Sequence, residues 1–141
     1  MIARIFKVIW IISLISVSLV FFYTYAAIQS DVNLGVNLQS FDKETFFYLT
    51  VALIGLFNML AFPVQRILKS DFNISWFYGL LACLHFFLIS ILIVLSVINS
   101  NEKYDYTNLG PLLILSFVLF SGWILALPAR MLYIQFFSKQ G

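Results

Sequence analysis

Apolar residues fill this chain in four long stretches, and every fixed charge lies in the polar segments beside them. The stretches run from about Val8 to Ile28, Thr45 to Val64, Ile74 to Ile98 and Leu109 to Leu127. Arg4 and Lys7 precede the first, and Asp31, Asp42, Lys43 and Glu44 separate it from the second. Arg66, Lys69 and Asp71 precede the third, Glu102, Lys103 and Asp105 the fourth, and Arg130 and Lys139 follow it. At 1.5 Å of rise per residue, about 20 helical residues cross the ~30 Å hydrocarbon layer of a bilayer. Hydrocarbon offers backbone N–H and C=O groups no partners, so each stretch must satisfy its own as a helix. The pattern predicts an all-α integral membrane protein, with residues 1–141 forming a single four-helix transmembrane domain.

The connections Gln65–Asn73 and Asn99–Asn108 are short, which favours antiparallel neighbours and an up-down-up-down bundle. Basic residues close to span ends set orientation, because they resist translocation. The amino-terminal segment, the central connection and the carboxyl tail hold six of the eight Lys and Arg residues. Only Lys43 and Lys103 lie on the other side, so both termini are expected in the cytoplasm. Arg4, Lys7 and the apolar run after them also describe a secretory signal, with a cut after Ala26 or Ala27. The run exceeds the ~7–15 residues of a signal's apolar region, and Phe21, Phe22 and Tyr23 are bulky near the cut, so an uncleaved anchor is favoured.

Composition excludes several function classes. Charged residues make up 10% and hydrophobic residues 62% of the chain, against about 25% charged in a soluble domain. The longest polar gap, Gln29 to Glu44, is too short to bury a core of its own. The net charge of +2 follows membrane topology, so a nucleic-acid partner is not expected. Cys83, the single cysteine, has no mate for a disulfide or a CxxC motif and reads as a small apolar filler.

The connections carry local signals. Asp42 caps the second helix, with Glu44 in its first turn and Phe41 and Phe46 spaced as a hydrophobic staple. Val32 to Leu38 alternates apolar and polar residues around Gly35, which suits a small extended hairpin or a loop dipping into headgroups. Trp76, Tyr78, Tyr104 and Tyr106 read as interfacial aromatic anchors, with an aromatic binding patch as the sharper alternative. Ala61 to Arg66 and Ala126 to Arg130 both place a proline ahead of an arginine at a span end. These read as two independent helix ends or as a weak parallel repeat. Residues 129–137 either continue the fourth helix past Pro128 or lie along the headgroups.

Within the spans, His85 is the residue most open to a functional role. It lies about eleven residues into the third stretch, near mid-membrane, where an ionisable side chain without a partner is costly. Asn58 approaches that depth from the second stretch, and Ser16, Ser18 and Ser116 from the first and fourth. The structural reading is a hydrogen-bond clasp between helices; the functional reading is proton transfer or ligand recognition. A lone histidine is a poor ligand set for metal or haem, so no cofactor is expected. No nucleophile stands beside a base, and no phosphate-binding glycine loop or HExxH motif is present. Gly79 to Cys83 and Gly122 to Ala126 give small-xxx-small spacing and mark expected helix contacts.

This layout is similar to that of small four-span proteins of bacterial inner membranes, a resemblance that implies a location and no activity. The missing chemistry and abundant apolar surface lead to the expectation of a non-catalytic subunit or assembly factor of a larger inner-membrane complex. Its partners would be the bilayer and other transmembrane subunits or copies of itself. The alternative is a small transporter, channel or proton-coupled protein built on His85 and Asn58.

Overall fold

A computed structural model of the chain describes residues 2–28, 31–34, 40–100 and 109–137. Its elements are α1 (Ile2–Ala27), β1 (Asp31–Val32), β2 (Phe41–Asp42), α2 (Lys43–Met59), α3 (Ala61–Ile67), α4 (Asp71–Ile98) and α5 (Gly110–Phe137). Four helical segments are long and apolar enough to cross a membrane: Ile2–Ala27, Lys43–Val64, Asp71–Ile98 and Gly110–Tyr133. The chain is an integral membrane protein. Its helices run past the apolar stretches, because α1 carries Arg4 and Lys7 in its opening turns and α5 continues to Phe137.

The two span-end prolines act differently. Pro63 has no N–H to bond the Met59 carbonyl, and its ring crowds that oxygen. The helix accordingly breaks between Met59 and Ala61, with Leu60 still in right-handed helical conformation (φ −64°, ψ −21°), so the join of α2 to α3 is a kink. Pro128 sits inside α5, which continues through it.

Helix α4 is the centre of the fold. It packs most extensively against α1, next against α5, and more sparingly against α3. Contacts advance together along α1 and α4: the Trp10 and Tyr78 rings lie 5.2 Å apart, Ser13 meets His85, and the Thr24 hydroxyl donates to the Leu92 carbonyl at 3.2 Å. Along α4 and α5 they run in opposite order, with Phe87 beside Phe117 and Phe120, and Trp76 beside Trp123. One buried cluster joins Val17, Phe21, Ile28, Val32, Phe46 and Leu92; a second joins Trp10, Ala61, Tyr78 and Leu81. Lipid tails are as apolar as these side chains, so contact quality and hydrogen bonds hold the helices together.

Helices α4 and α5 are joined by a reciprocal pair of bonds. The Trp76 indole N–H donates to the Trp123 carbonyl at 2.9 Å, and the Trp123 indole N–H donates to the Trp76 carbonyl at 2.8 Å. Gly79 makes room for this arrangement, since a Cβ there would lie 2.2 Å from Trp123 Cζ2. Tyr78 differs from its reading as a headgroup anchor, since it is 2% exposed and lies against Trp10, whereas Trp76 stays partly exposed beside its bond to α5.

At the opposite end, β1 and β2 pair antiparallel, Asp31 with Asp42 and Val32 with Phe41. Residues 35–39, Tyr104 and Tyr106, which figured in the hairpin and anchor readings, lie outside the described residues, as does the Phe41 side chain of the staple. Asp42 is the N-cap of α2, its carboxylate accepting the Thr45 N–H at 2.7 Å and the Thr45 hydroxyl at 2.6 Å. The Thr45 hydroxyl first, then its N–H, hold the Asp42 carboxyl below its ordinary pKa. The Asn99 amide bonds both backbone groups of Asn33, accepting at 2.7 Å and donating at 2.9 Å, as a paired strand would. The Lys43 ammonium donates to the Ile28 carbonyl and lies 4.5 Å from the Tyr25 ring centre.

Candidate functional site

His85 stands midway along α4 and is 0% exposed, facing α1 and α2. Burial at that depth leaves the imidazole only protein groups to bond, and both ring nitrogens find one. Nδ1 lies 2.8 Å from the Ser13 hydroxyl oxygen and Nε2 lies 3.0 Å from the Asn58 amide nitrogen. Asn58 also receives the Trp10 indole N–H on Oδ1 at 2.7 Å and donates to the Ile54 carbonyl at 2.7 Å. The Ser13 hydroxyl donates to the Trp10 carbonyl at 2.8 Å.

These bonds have only one consistent direction. An indole N–H only donates, so Asn58 must present its oxygen to Trp10. That turns both amide hydrogens toward His85 and Ile54. Nε2 of His85 is therefore the acceptor and Nδ1 carries the proton, which it donates to Ser13. The Ser13 hydroxyl in turn donates its hydrogen bond to the Trp10 carbonyl, and the circuit closes on the residue where it began. Every polar atom in it is satisfied with neutral histidine.

The circuit opposes the charged form on geometric grounds. An imidazolium donates from both nitrogens, which would set the Nε2 proton against the Asn58 amide hydrogens. Turning the amide to accept that proton would set its NH₂ against the Trp10 N–H. Both arrangements leave two donors face to face in a water-poor interior, where such a mismatch is costly. Nor does either nitrogen keep a free lone pair for a metal or haem iron. Among the described residues, no three His, Cys, Asp or Glu side chains come together as a metal set.

Of the residues singled out from sequence, the structure brings together His85 and Asn58. Ser16 bonds the Ile12 carbonyl, Ser18 the Leu14 carbonyl and Ser116 the Leu113 carbonyl, each within its own helix and away from the imidazole. Ser13 and Trp10 take the places expected for Ser16 and Ser18. Trp10, Val17, Phe21, Thr24 and Ile28 form the buried stripe of the first span, at intervals of three, four and seven residues. Ser13 falls on that stripe, while Ser16 and Ser18 flank it by about 100° on either side. Gly79 lies against Trp123, and Cys83 is half-buried on α4. Gly122 and Ala126 are exposed on α5, and a Cβ added at Gly122 would meet nothing within 4 Å. The close approach at α4 and α5 is thus one glycine under an indole, with no matching pair of small residues.

The Tyr78 hydroxyl is the one buried side-chain polar atom without a hydrogen-bond partner among the described residues. No protein-family model, curated protein or solved structure matches the chain.

Proposed function

We propose that this chain is a non-catalytic subunit or assembly factor of a larger membrane complex. The closed circuit of Trp10, Asn58, His85 and Ser13 carries this reading. The mid-membrane polar groups that a transporter would offer its substrate are consumed in bonding one another. A circuit that resists a second proton on His85 also argues against proton coupling through that residue. Large apolar side chains such as Leu56, Met59, Ile114, Phe117 and Leu125 face outward from α2 and α5, which suits packing against lipid or further transmembrane helices.

The contact order supports an up-down-up-down course. The distribution of basic residues supports cytoplasmic termini, and the layout supports a bacterial inner membrane. Purification of the native chain in mild detergent is expected to recover a larger assembly. A monomer with no associated protein, paired with histidine-dependent flux in proteoliposomes, would replace this reading with the transporter. Single cysteines at Asn37 and Asn101 are expected to react with a membrane-impermeant maleimide in intact cells, and one at Ser70 to be protected. The reverse pattern would invert the orientation.

A further inference from the structure

Helix α5 meets the rest of the molecule along one side. Phe120 stacks on Phe87, and Trp123 bonds Trp76 and lies beside Phe6. Arg130 lies over the Phe72 ring, its guanidinium carbon 3.3 Å from the ring centre. On the other side Leu115, Leu119, Gly122, Ala126 and Ala129 are all exposed. They follow one another at intervals of four, three, four and three residues, so they form one line down the helix. Apolar residues at that spacing make the seam by which one helix seats another. Leu115 and Leu119 stand out at one end of it, and three small residues at the other let a neighbouring backbone come close. A Cβ added at Gly122 would meet nothing within 4 Å, so no described part of this chain fills the place.

Arg130 directly follows Ala129 and so takes the flanking position of this seam, where charged side chains pair across a helix–helix contact. Its contact with Phe72 is the whole of its bonding among the described residues. The ring holds the guanidinium by its face and leaves the N–H donors at its edge unspent. Arg130 lies three residues inside the end of the last span, and an ionisable group within a span calls for a partner. Helix α5 contains no Asp or Glu, so a second copy presenting the same seam would set Arg130 against Arg130. A phospholipid headgroup answers the charge alone and leaves the helical spacing of the seam unused.

We propose, resting on the reading of the chain as a subunit, that the seam of α5 receives one transmembrane helix of a different subunit, and that this helix carries an Asp or Glu facing Arg130. Gly122 and Ala126 bring the two backbones together, and the carboxylate takes the edge of the guanidinium through paired N–H bonds.

The test recovers the full chain from its native membranes in mild detergent and weighs what accompanies it by native mass spectrometry. The parent is expected to carry a further, different chain. Arg130→Glu and Gly122→Leu are each expected to lower recovery of that chain about ten-fold, the first by repulsion and the second by filling the seam, with the parent's circular dichroism retained. Leu56→Ala, on the outward side of α2, is expected to recover as much as the parent. Arg130→Lys keeps the charge and supplies a primary amine, which a carbodiimide joins to a carboxylate in contact with it; the parent's guanidinium does not couple. The expected product, present in this variant only, is an amide between position 130 and an Asp or Glu of the accompanying chain. Full recovery with either Arg130→Glu or Gly122→Leu, or an equal loss with Leu56→Ala, would overturn the seam and leave the subunit reading standing. A parent that emerges as a bare monomer would sink both. A mass of two copies of this chain, an amide to Asp71, no amide at position 130, or loss from Arg130→Glu of anionic phospholipid alone would also overturn the proposal.

Discussion

Replacing His85 with leucine removes the bonds at 2.8 Å to Ser13 and 3.0 Å to Asn58 and leaves an apolar side chain at the site. The damage can be followed atom by atom. Ser13 keeps its bond to the Trp10 carbonyl, and Asn58 keeps Trp10 on its oxygen and Ile54 on one hydrogen. One Asn58 N–H is left without an acceptor. Side-chain hydrogen bonds between membrane helices average about 0.6 kcal/mol and reach about 1.7 kcal/mol, so losing two costs about 1–3 kcal/mol. Glutamine can restore both directions, donating from its amide to Ser13 and accepting from Asn58, and should stay within about 1 kcal/mol of the parent. Reversible unfolding in mixed detergent micelles, followed by near-ultraviolet circular dichroism, measures both variants. Because His85 is the only histidine, nitrogen NMR of the imidazole reports its tautomer without assignment. It should show a protonated Nδ1 and a bare Nε2. A leucine variant as stable as the parent, a glutamine variant that falls with leucine, or the opposite tautomer would refute the circuit.

Further predictions concern the other joints. Gly79→Ala drives a Cβ into the Trp123 ring and should weaken the α4–α5 contact by about 1–3 kcal/mol, with a shift in tryptophan emission. Gly122→Ala meets open space and should be neutral or slightly stabilising, so equal losses in the two variants would contradict the packing. The Asp42 cap is expected to be pH dependent. Since Thr45 lowers the folded-state pKa of the carboxyl, its contribution is present above the ordinary carboxylate range and fades as pH falls through the lowered value. The protection of the Thr45 amide, its exchange rate relative to the unstructured chain at the same pH, should therefore fall in acid for the parent and be low at every pH in Asp42→Ala. Asn99→Leu cuts both bonds to Asn33 and should raise exchange at the Asn33 amide while leaving mid-membrane amides of α4 unchanged.

The four spans and the Asp42 cap were legible because they rest on composition and on local capping chemistry. His85 and Asn58 were legible as a pair because depth can be counted along each helix. Ser13 was missed because lipid-facing positions on α1, such as Ile11, Ile12, Ile15 and Leu19, are as apolar as the core. Hydropathy therefore carries no phase for that helix. The signal that existed was chemical: Trp10, Ser13 and Thr24, the residues able to bond across, recur at helical intervals. The Trp76–Trp123 exchange had no comparable trace, since it depends on which face of α5 meets α4 and on Gly79 lying beneath the indole. Nor could the two proline motifs be told apart by sequence, because a kink and an unbroken helix both follow from proline at a span end.

The spacing of the circuit along the chain has a consequence for biosynthesis. Trp10 and Asn58 are 48 residues apart, and His85 follows Asn58 by 27. Synthesis proceeds from the amino terminus, so the first two spans can pair before the third has left the ribosome and entered the bilayer. During that interval the indole of Trp10 already dictates which way the Asn58 amide faces. The nascent hairpin thus waits with an N–H turned toward the position His85 will occupy, and the arriving helix meets a donor set in advance. A truncated chain that ends before α4, released from the ribosome into a bilayer, is expected to contain the Trp10–Asn58 bond already, and its absence there would remove the first hairpin as the template for the central helix.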